Sequence, residues 1–208
     1  MQEKWMIFII DMVNGFVKEG ALADSKILGI VPAIKKIIKD FSSLSIKAAI
    51  SIIKVLENIY HIPNVSLKWP NDVYINDKKV CGILLESVSI EQDIPCIIVG
   101  IGLNVNSTRF EGDYIVSPTS LQVELNKPLE IDIIKEYIYQ SLLKEINNND
   151  FIEFARAHNY LKNKIAMSNI GEVKILDIDD ECQLLVEIDN KIKHLNTGEI
   201  TFHITKTK

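Results

Sequence analysis

The run Lys-Trp-Pro-Asn-Asp-Val-Tyr-Ile-Asn-Asp-Lys-Lys-Val-Cys-Gly-Ile-Leu-Leu-Glu, Lys68 to Glu86, constrains this chain more than any other stretch. Two apolar segments, Val73 to Ile75 and Val80 to Leu85, flank the polar tetrad Asn76-Asp77-Lys78-Lys79. That is the pattern of a β-hairpin whose turn lacks glycine. Close to it in sequence stand two lysines, Lys68 and Lys79, with the carboxylate Asp72 and the carboxamide Asn71. Such a set suits a site that brings phosphate and carboxylate groups together, because cations must screen the repulsion between two anions. Asp72 could orient a lysine, help hold a magnesium ion, or take a proton from an attacking amine. Val80 to Leu85 would wall the pocket, with Gly82 allowing close approach. Residue types alone also describe a surface hairpin with exposed lysines and Trp69 in the core.

Composition narrows the partners. A net charge of -5 and a pI near 5.4 argue against broad electrostatic binding to nucleic acid or anionic lipid. Small substrates or a protein partner fit better. The 208 residues suffice for one ordinary core and a small satellite unit. Trp5 to Ile10 is apolar but is cut off at Asp11, too short for a signal-peptide core or a membrane span, so a cytoplasmic protein is expected. Cys81, Cys96 and Cys182 are far apart, with no CxxC pair and no histidines at zinc spacing. They read as buried or half-buried thiols.

The periodicity predicts a strand over Met6 to Ile10, with Asn14-Gly15 as turn chemistry. Asp24 is a candidate N-cap, and Pro32 suits the first turn of a helix carrying Ile34, Ile37, Ile38 and Phe41 on one face. A second helix is expected from about Leu44 to Ile59, strands at Val65 to Trp69 and Ile94 to Ile101, and helices over Ile131 to Ile146 and about Asp150 to Leu161. Pro118-Thr119-Ser120 should cap a short helix. Beyond residue 163 the period changes to two, through Val173, Ile175, Ile178, Leu184, Val186, Ile188, Ile192, Leu195, Ile200, Phe202 and Ile204. Turns at Asp179-Asp180 and Asp189-Asn190 complete the pattern of a small β-barrel.

Lys-Trp-Pro-Asn-Asp, a hairpin, and then Lys-Val-Cys-Gly-Ile-Leu-Leu-Glu resembles the signature of biotin protein ligases. A second match is Val99-Gly100-Ile101-Gly102-Leu103-Asn104-Val105-Asn106, followed at a similar spacing by Pro118-Thr119-Ser120-Leu121. On its own a Gly-x-Gly at a strand end is a weak signal. The resemblance covers about residues 44–208, including Leu195 to Ile200. It implies an α/β fold of the α+β kind: a biotin/lipoate ligase-like mixed sheet with flanking helices in residues 1–162, and a small C-terminal SH3-like β-barrel in 163–208. It further implies ATP-dependent conversion of biotin to biotinyl-adenylate, with Mg2+, and transfer to a lysine of a carboxylase's biotin carboxyl carrier domain. By that resemblance Lys79 meets the biotin carboxylate and the α-phosphate, and Asp72 lies beside the adenylate and the incoming amine. Lys68, Trp69 and Asn71 line the nucleotide side, Asn104 faces the adenine, and Gly82 and Gly102 permit close approach.

Residues 1–42 depart from that pattern. In place of a Gly/Arg-rich loop that would close over the adenylate, Ile9 to Asp24 resembles the opening strand and helix of nicotinamidase-like cysteine hydrolases, in which the aspartate matching Asp11 belongs to an Asp-Lys-Cys triad. No nucleophile context follows, and a strand-end aspartate satisfied by backbone amides is the plainer reading of Asp11. Loss of the loop implies slow adenylation and a leaking intermediate. No helix-turn-helix unit is present, so DNA repression is not expected. The alternatives are a non-catalytic module that binds nucleotide or the carrier, a lipoate ligase relative, or an amide hydrolase. Whether two copies pair as a homodimer is left open.

Overall fold

The expected hairpin lies toward one side of a six-stranded sheet. The computed structural model describes residues 5–11, 30–31, 41–90, 94–168, 171–196 and 202–204. Expectations for Asn14-Gly15, Asp24, Pro32, the Ile34 to Ile38 helix face and Ile200 fall outside them. Strands β1 (Trp5–Asp11), β2 (Ile30–Val31), β3 (Val65–Lys68), β4 (Asp72–Ile75), β5 (Lys78–Ile90) and β6 (Ile94–Leu103) run in the order β2-β1-β6-β5-β4-β3. All neighbours are antiparallel except β1 and β6, which are parallel, so the sheet is mixed.

Helix α1 (Phe41–Asn58) covers one face of this sheet, touching β3, β4 and β5. Its residues from Leu44 to Ile53 are all buried, because α3 (Ile131–Ile146) packs on its other side. A helix sandwiched in this way has no polar face to offer water. The one lysine buried in it, Lys47, donates from Nζ to the Ile146 carbonyl at 3.0 Å and lies over the Phe151 ring; burial lowers its pKa. That bond satisfies a carbonyl orphaned at the end of α3.

Ser120 caps α2 (Leu121–Leu125) as expected, its hydroxyl accepting from the Val123 amide. The last helix is shorter than its periodicity suggests: α4 spans Ile152–Ala157 rather than reaching Leu161. The backbone instead turns to join the sheet edge, with Leu67 N donating to His158 O and Tyr160 N to Leu67 O, each at 2.8 Å. Sheet pairing outweighs helical propensity here.

Strands β7 (Ile165–Ser168), β8 (Gly171–Ile178), β9 (Leu184–Ile188), β10 (Lys191–Leu195) and β11 (Phe202–Ile204) form an antiparallel sheet in the order β10-β9-β8-β7-β11. The SH3-like barrel expected from sequence is not found: among the described residues the sheet stays open, with β10 and β11 at its edges. Alternation still buries Val173, Ile175, Ile178, Leu184, Val186, Ile188 and Leu195, whereas Ile192 faces solvent at 64% exposure. Two-residue periodicity reports strands with one buried face and is silent on closure.

Candidate active site

The geometry of the site follows from one irregularity. Val73 pairs with Cys81, but Tyr74 pairs with Lys79, so Val80 is an extra residue on β5. Side chains alternate along a strand, and a regular β5 would put Lys79 on the same face as Cys81, toward the core. The bulge reverses this and brings Lys79 onto the face carrying Asp72 and Gly82. There its Nζ lies 2.6 Å from Asp72 Oδ1. Lys68, four residues earlier, approaches Asp72 Oδ2 at 3.6 Å. Two ammonium groups on one carboxylate leave a local excess of one positive charge.

Asp72 is 8% exposed, and Lys68 and Lys79 are partly exposed. An anion within 4 Å of the uncompensated charge would gain about 4 kcal/mol at the effective dielectric of a protein surface, against about 1 in water. The pair at Asp72 therefore fixes the lysines and still leaves charge for a ligand.

Gly82 supplies room for this arrangement. A Cβ there would sit 3.2 Å from both Cε and Nζ of Lys79. Gly102 is directly opposite Gly82 on β6, and a Cβ at 102 would meet, among the described residues, only the Gly82 carbonyl at 3.6 Å. Among the described residues, local packing does not demand glycine at 102, and what glycine leaves beside Gly82 is open floor.

The second motif joins the first through the chain segment after it. The bulged Val80 carbonyl accepts from Asn104 N at 2.9 Å. Lys79 N donates to Ser117 O, and Thr119 N to Lys79 O. The Asn104 carboxamide donates to Thr119 O at 3.0 Å. Lys79 and Asn104 thus share the strap Ser117–Thr119, which the sequence marks by its spacing and as the lead-in to a helix cap. Its contact with Lys79 had no signal in residue types.

The other expected residues have different surroundings. Asn71 clamps onto β5 twice, donating from Nδ2 to Ile83 O and accepting from Ile83 N on its own carbonyl, both at 2.8 Å. Trp69 lies in the core at 3% exposure, and its indole donates to Cys182 O at 2.9 Å, tying the C-terminal sheet to the first. Its indole N–H is thereby committed to the fold. Cys81 and Cys182 are buried as expected, and burial pushes the Cys81 thiol far up. A separate cleft of about 390 Å³, lined by Asn64, Asn76, Asp77, His158 and Tyr160 among others, includes none of the site residues.

Sequence and fold comparisons agree on the relationship. Residues 30–104 match the Biotin/lipoate A/B protein ligase family, and residues 167–202 match the Biotin protein ligase C terminal domain. The chain is similar to biotin protein ligases. It is 28% identical over 169 residues to the Bifunctional ligase/repressor BirA of Bacillus subtilis, an alignment covering 76% of this chain and 52% of that protein. The chain thus spans about half the length of the curated relatives it matches. Over 41 residues, 20% of this chain and 17% of its counterpart, it is 49% identical to the Biotin--[acetyl-CoA-carboxylase] ligase of Paracoccus denitrificans. The fold resembles that of the biotin protein ligase from Aquifex aeolicus in complex with biotin and ATP, with a TM-score of 0.71 and 24% identity over 82% of this chain and 75% of that one. None of these matches is to a cysteine hydrolase, so the expected hydrolase resemblance of residues 1–42 gains no support. The strand that carries Asp11 pairs with β6 of the ligase-like sheet.

Proposed function

We propose that this chain activates biotin with ATP and transfers it to a lysine of a biotin carboxyl carrier domain. The observation that carries the reading is the Lys79–Asp72–Lys68 cluster beside the glycine floor of a ligase-like sheet. In the first step a biotin carboxylate oxygen bonds to the α-phosphorus of ATP and pyrophosphate leaves, giving biotinyl-adenylate. Lys79 sits where both anions would meet, and its ammonium would offset their repulsion. In the second step the carrier lysine amine attacks the mixed anhydride and AMP departs. Asp72 would accept the proton that the amine loses.

Asn104 would read the adenine: its carboxamide donates one described hydrogen bond, to Thr119 O, and retains further capacity. Lys68 and Asn71 complete the nucleotide side. Among the described residues no cluster of three or more His, Cys, Asp or Glu could hold a metal ion. Mg2+ is commonly held by one or two carboxylates together with substrate phosphates and water, and Asp72 is a carboxylate of the site that would serve. We assign residues 1–162 to the ligase unit and 163–208 to its C-terminal companion, acting in the cytoplasm.

The chain's arginines are Arg109 and Arg156, so residues 1–42 contain none to close over an adenylate. The reading therefore includes slow turnover and some escape of biotinyl-adenylate into solvent. Incubation with biotin, ATP, Mg2+ and a carrier domain tests it: both free adenylate and biotinylated carrier should form. Neither product in a folded preparation would refute the ligase reading and leave a binding module.

A further inference from the structure

Asp72 and Tyr74 stand two residues apart on β4 and so share a face of the sheet, while Val73 and Ile75 turn to the core on the α1 side. Tyr74 is nevertheless only 1% exposed. Its register partners are Ser66 and Lys79, and Lys68 Nζ lies over its ring, 5.7 Å from the centroid. The ring of Tyr160, at the sheet edge, tilts against it at 43° with the centroids 4.8 Å apart. Tyr160 is itself fixed: its amide donates to Leu67 O at 2.8 Å, its hydroxyl donates to Asp77 Oδ1 at 3.0 Å, and Lys164 Nζ sits over its ring. The Tyr74 ring is therefore braced from the sheet edge and borders the Lys79–Asp72–Lys68 cluster.

We infer that Tyr74 is a positioning residue for the nucleotide, its ring face holding the Lys68 ammonium in place for phosphate. The inference rests on the proposed function, in which Lys68 serves the nucleotide side. At 3.6 Å that ammonium is too far from Asp72 Oδ2 for a hydrogen bond, whereas Lys79 engages Oδ1 at 2.6 Å. The ring supplies what the carboxylate does not: a cation within about 6 Å of a ring centroid is attracted by the negative face of the π-system. A ring is also neutral, so unlike a second carboxylate it leaves the positive excess of the cluster intact. It takes up none of the ammonium's three N–H donors in a conventional hydrogen bond, and these remain for phosphate oxygens. Confining the flexible lysine stem before the nucleotide arrives lowers the ordering cost of binding.

Two rings at position 74 test the assignment. Tyr74→Phe keeps the negative face, and 3,4,5-trifluorophenylalanine keeps the shape while withdrawing charge from that face. Titration calorimetry with ATP and with biotin compares them, in the wild-type background and with Lys68→Met. Tyr74→Phe should bind ATP within about twofold of the wild type, and the fluorinated ring should weaken ATP about 2- to 5-fold further, as a partly exposed cation–π contact implies. Biotin affinity should not move, because Lys79 keeps its own bond to Asp72. With Lys68→Met the two rings should bind ATP equally, since the group they position is gone. Equal ATP affinity for the two rings with Lys68 present would overturn the inference, as would the same loss with Lys68 absent. A folded wild type that binds no ATP would overturn the ligase reading and the assignment with it, whereas the former results leave ATP binding in place, so the failures are distinguishable.

Discussion

Gly82 and Gly102 face each other across β5 and β6, and among the described residues it is Gly82 that has side chains, those of Lys79 and Asp72, close to where its Cβ would be. The asymmetry predicts different responses to added bulk. At 102 an alanine meets the Gly82 carbonyl at ordinary contact distance, so Gly102→Ala should leave the thermal midpoint nearly unchanged. Gly102→Leu should fill the floor and abolish biotin binding, read by calorimetry. Wild-type affinity in the leucine variant would show that ligand does not cross this floor.

Asn104 is expected to affect the base of the nucleotide rather than its phosphates. Asn104→Ala should weaken ATP about 10-fold or more, the loss of one or two buried hydrogen bonds, and leave pyrophosphate binding unaltered. Equal weakening of both ligands would mean that the variant disturbs the Ser117–Thr119 strap instead.

Trp69 is expected to matter for stability more than for turnover. Trp69→Phe removes the hydrogen bond to Cys182 O, at a cost of about 0.5 to 1.5 kcal/mol in urea unfolding. Loss of activity without loss of stability would put Trp69 on the nucleotide side.

The junction with the C-terminal sheet should carry an acid-sensitive contribution. Desolvation raises the Asp177 pKa, but the bonds from Lys162, Asn159 and the Ile178 amide outweigh it and hold the carboxyl below its ordinary 3.8. A group depressed in the folded state stabilises it above the unfolded pKa and loses that contribution as pH falls through the folded value. Unfolding free energy should therefore drop below about pH 4, and Asp177→Asn should flatten that slope. An identical slope in the variant would exclude Asp177 as its source.

Much of this architecture was legible in the sequence because periodicity registers burial. Helix α3 matches Ile131 to Ile146, Ser120 caps α2, and Asn76, with φ of 55°, makes the turn that the polar tetrad marked. Three features escaped. The Val80 bulge depends on register, which no single strand encodes. The early end of α4 depends on Leu67, distant in sequence, offering its backbone to Tyr160. That the C-terminal sheet stays open among the described residues depends on how its edges meet. The motif residues were legible as a group, whereas the bonds by which Trp69 and Asn71 hold the fold depend on Cys182, distant in sequence, and on strand register.

The most direct test of the central claim is biotin-dependent exchange of radiolabelled pyrophosphate into ATP, comparing the wild type with Lys79→Ala. The reverse of adenylation requires no carrier and detects even a slow enzyme. The wild type should exchange only when biotin is present, and Lys79→Ala should lower the rate by two to three orders of magnitude, about 3 to 4 kcal/mol of lost charge stabilisation. Exchange that persists undiminished in Lys79→Ala, or none in a folded wild type, would contradict the assignment of this cluster as the adenylating site.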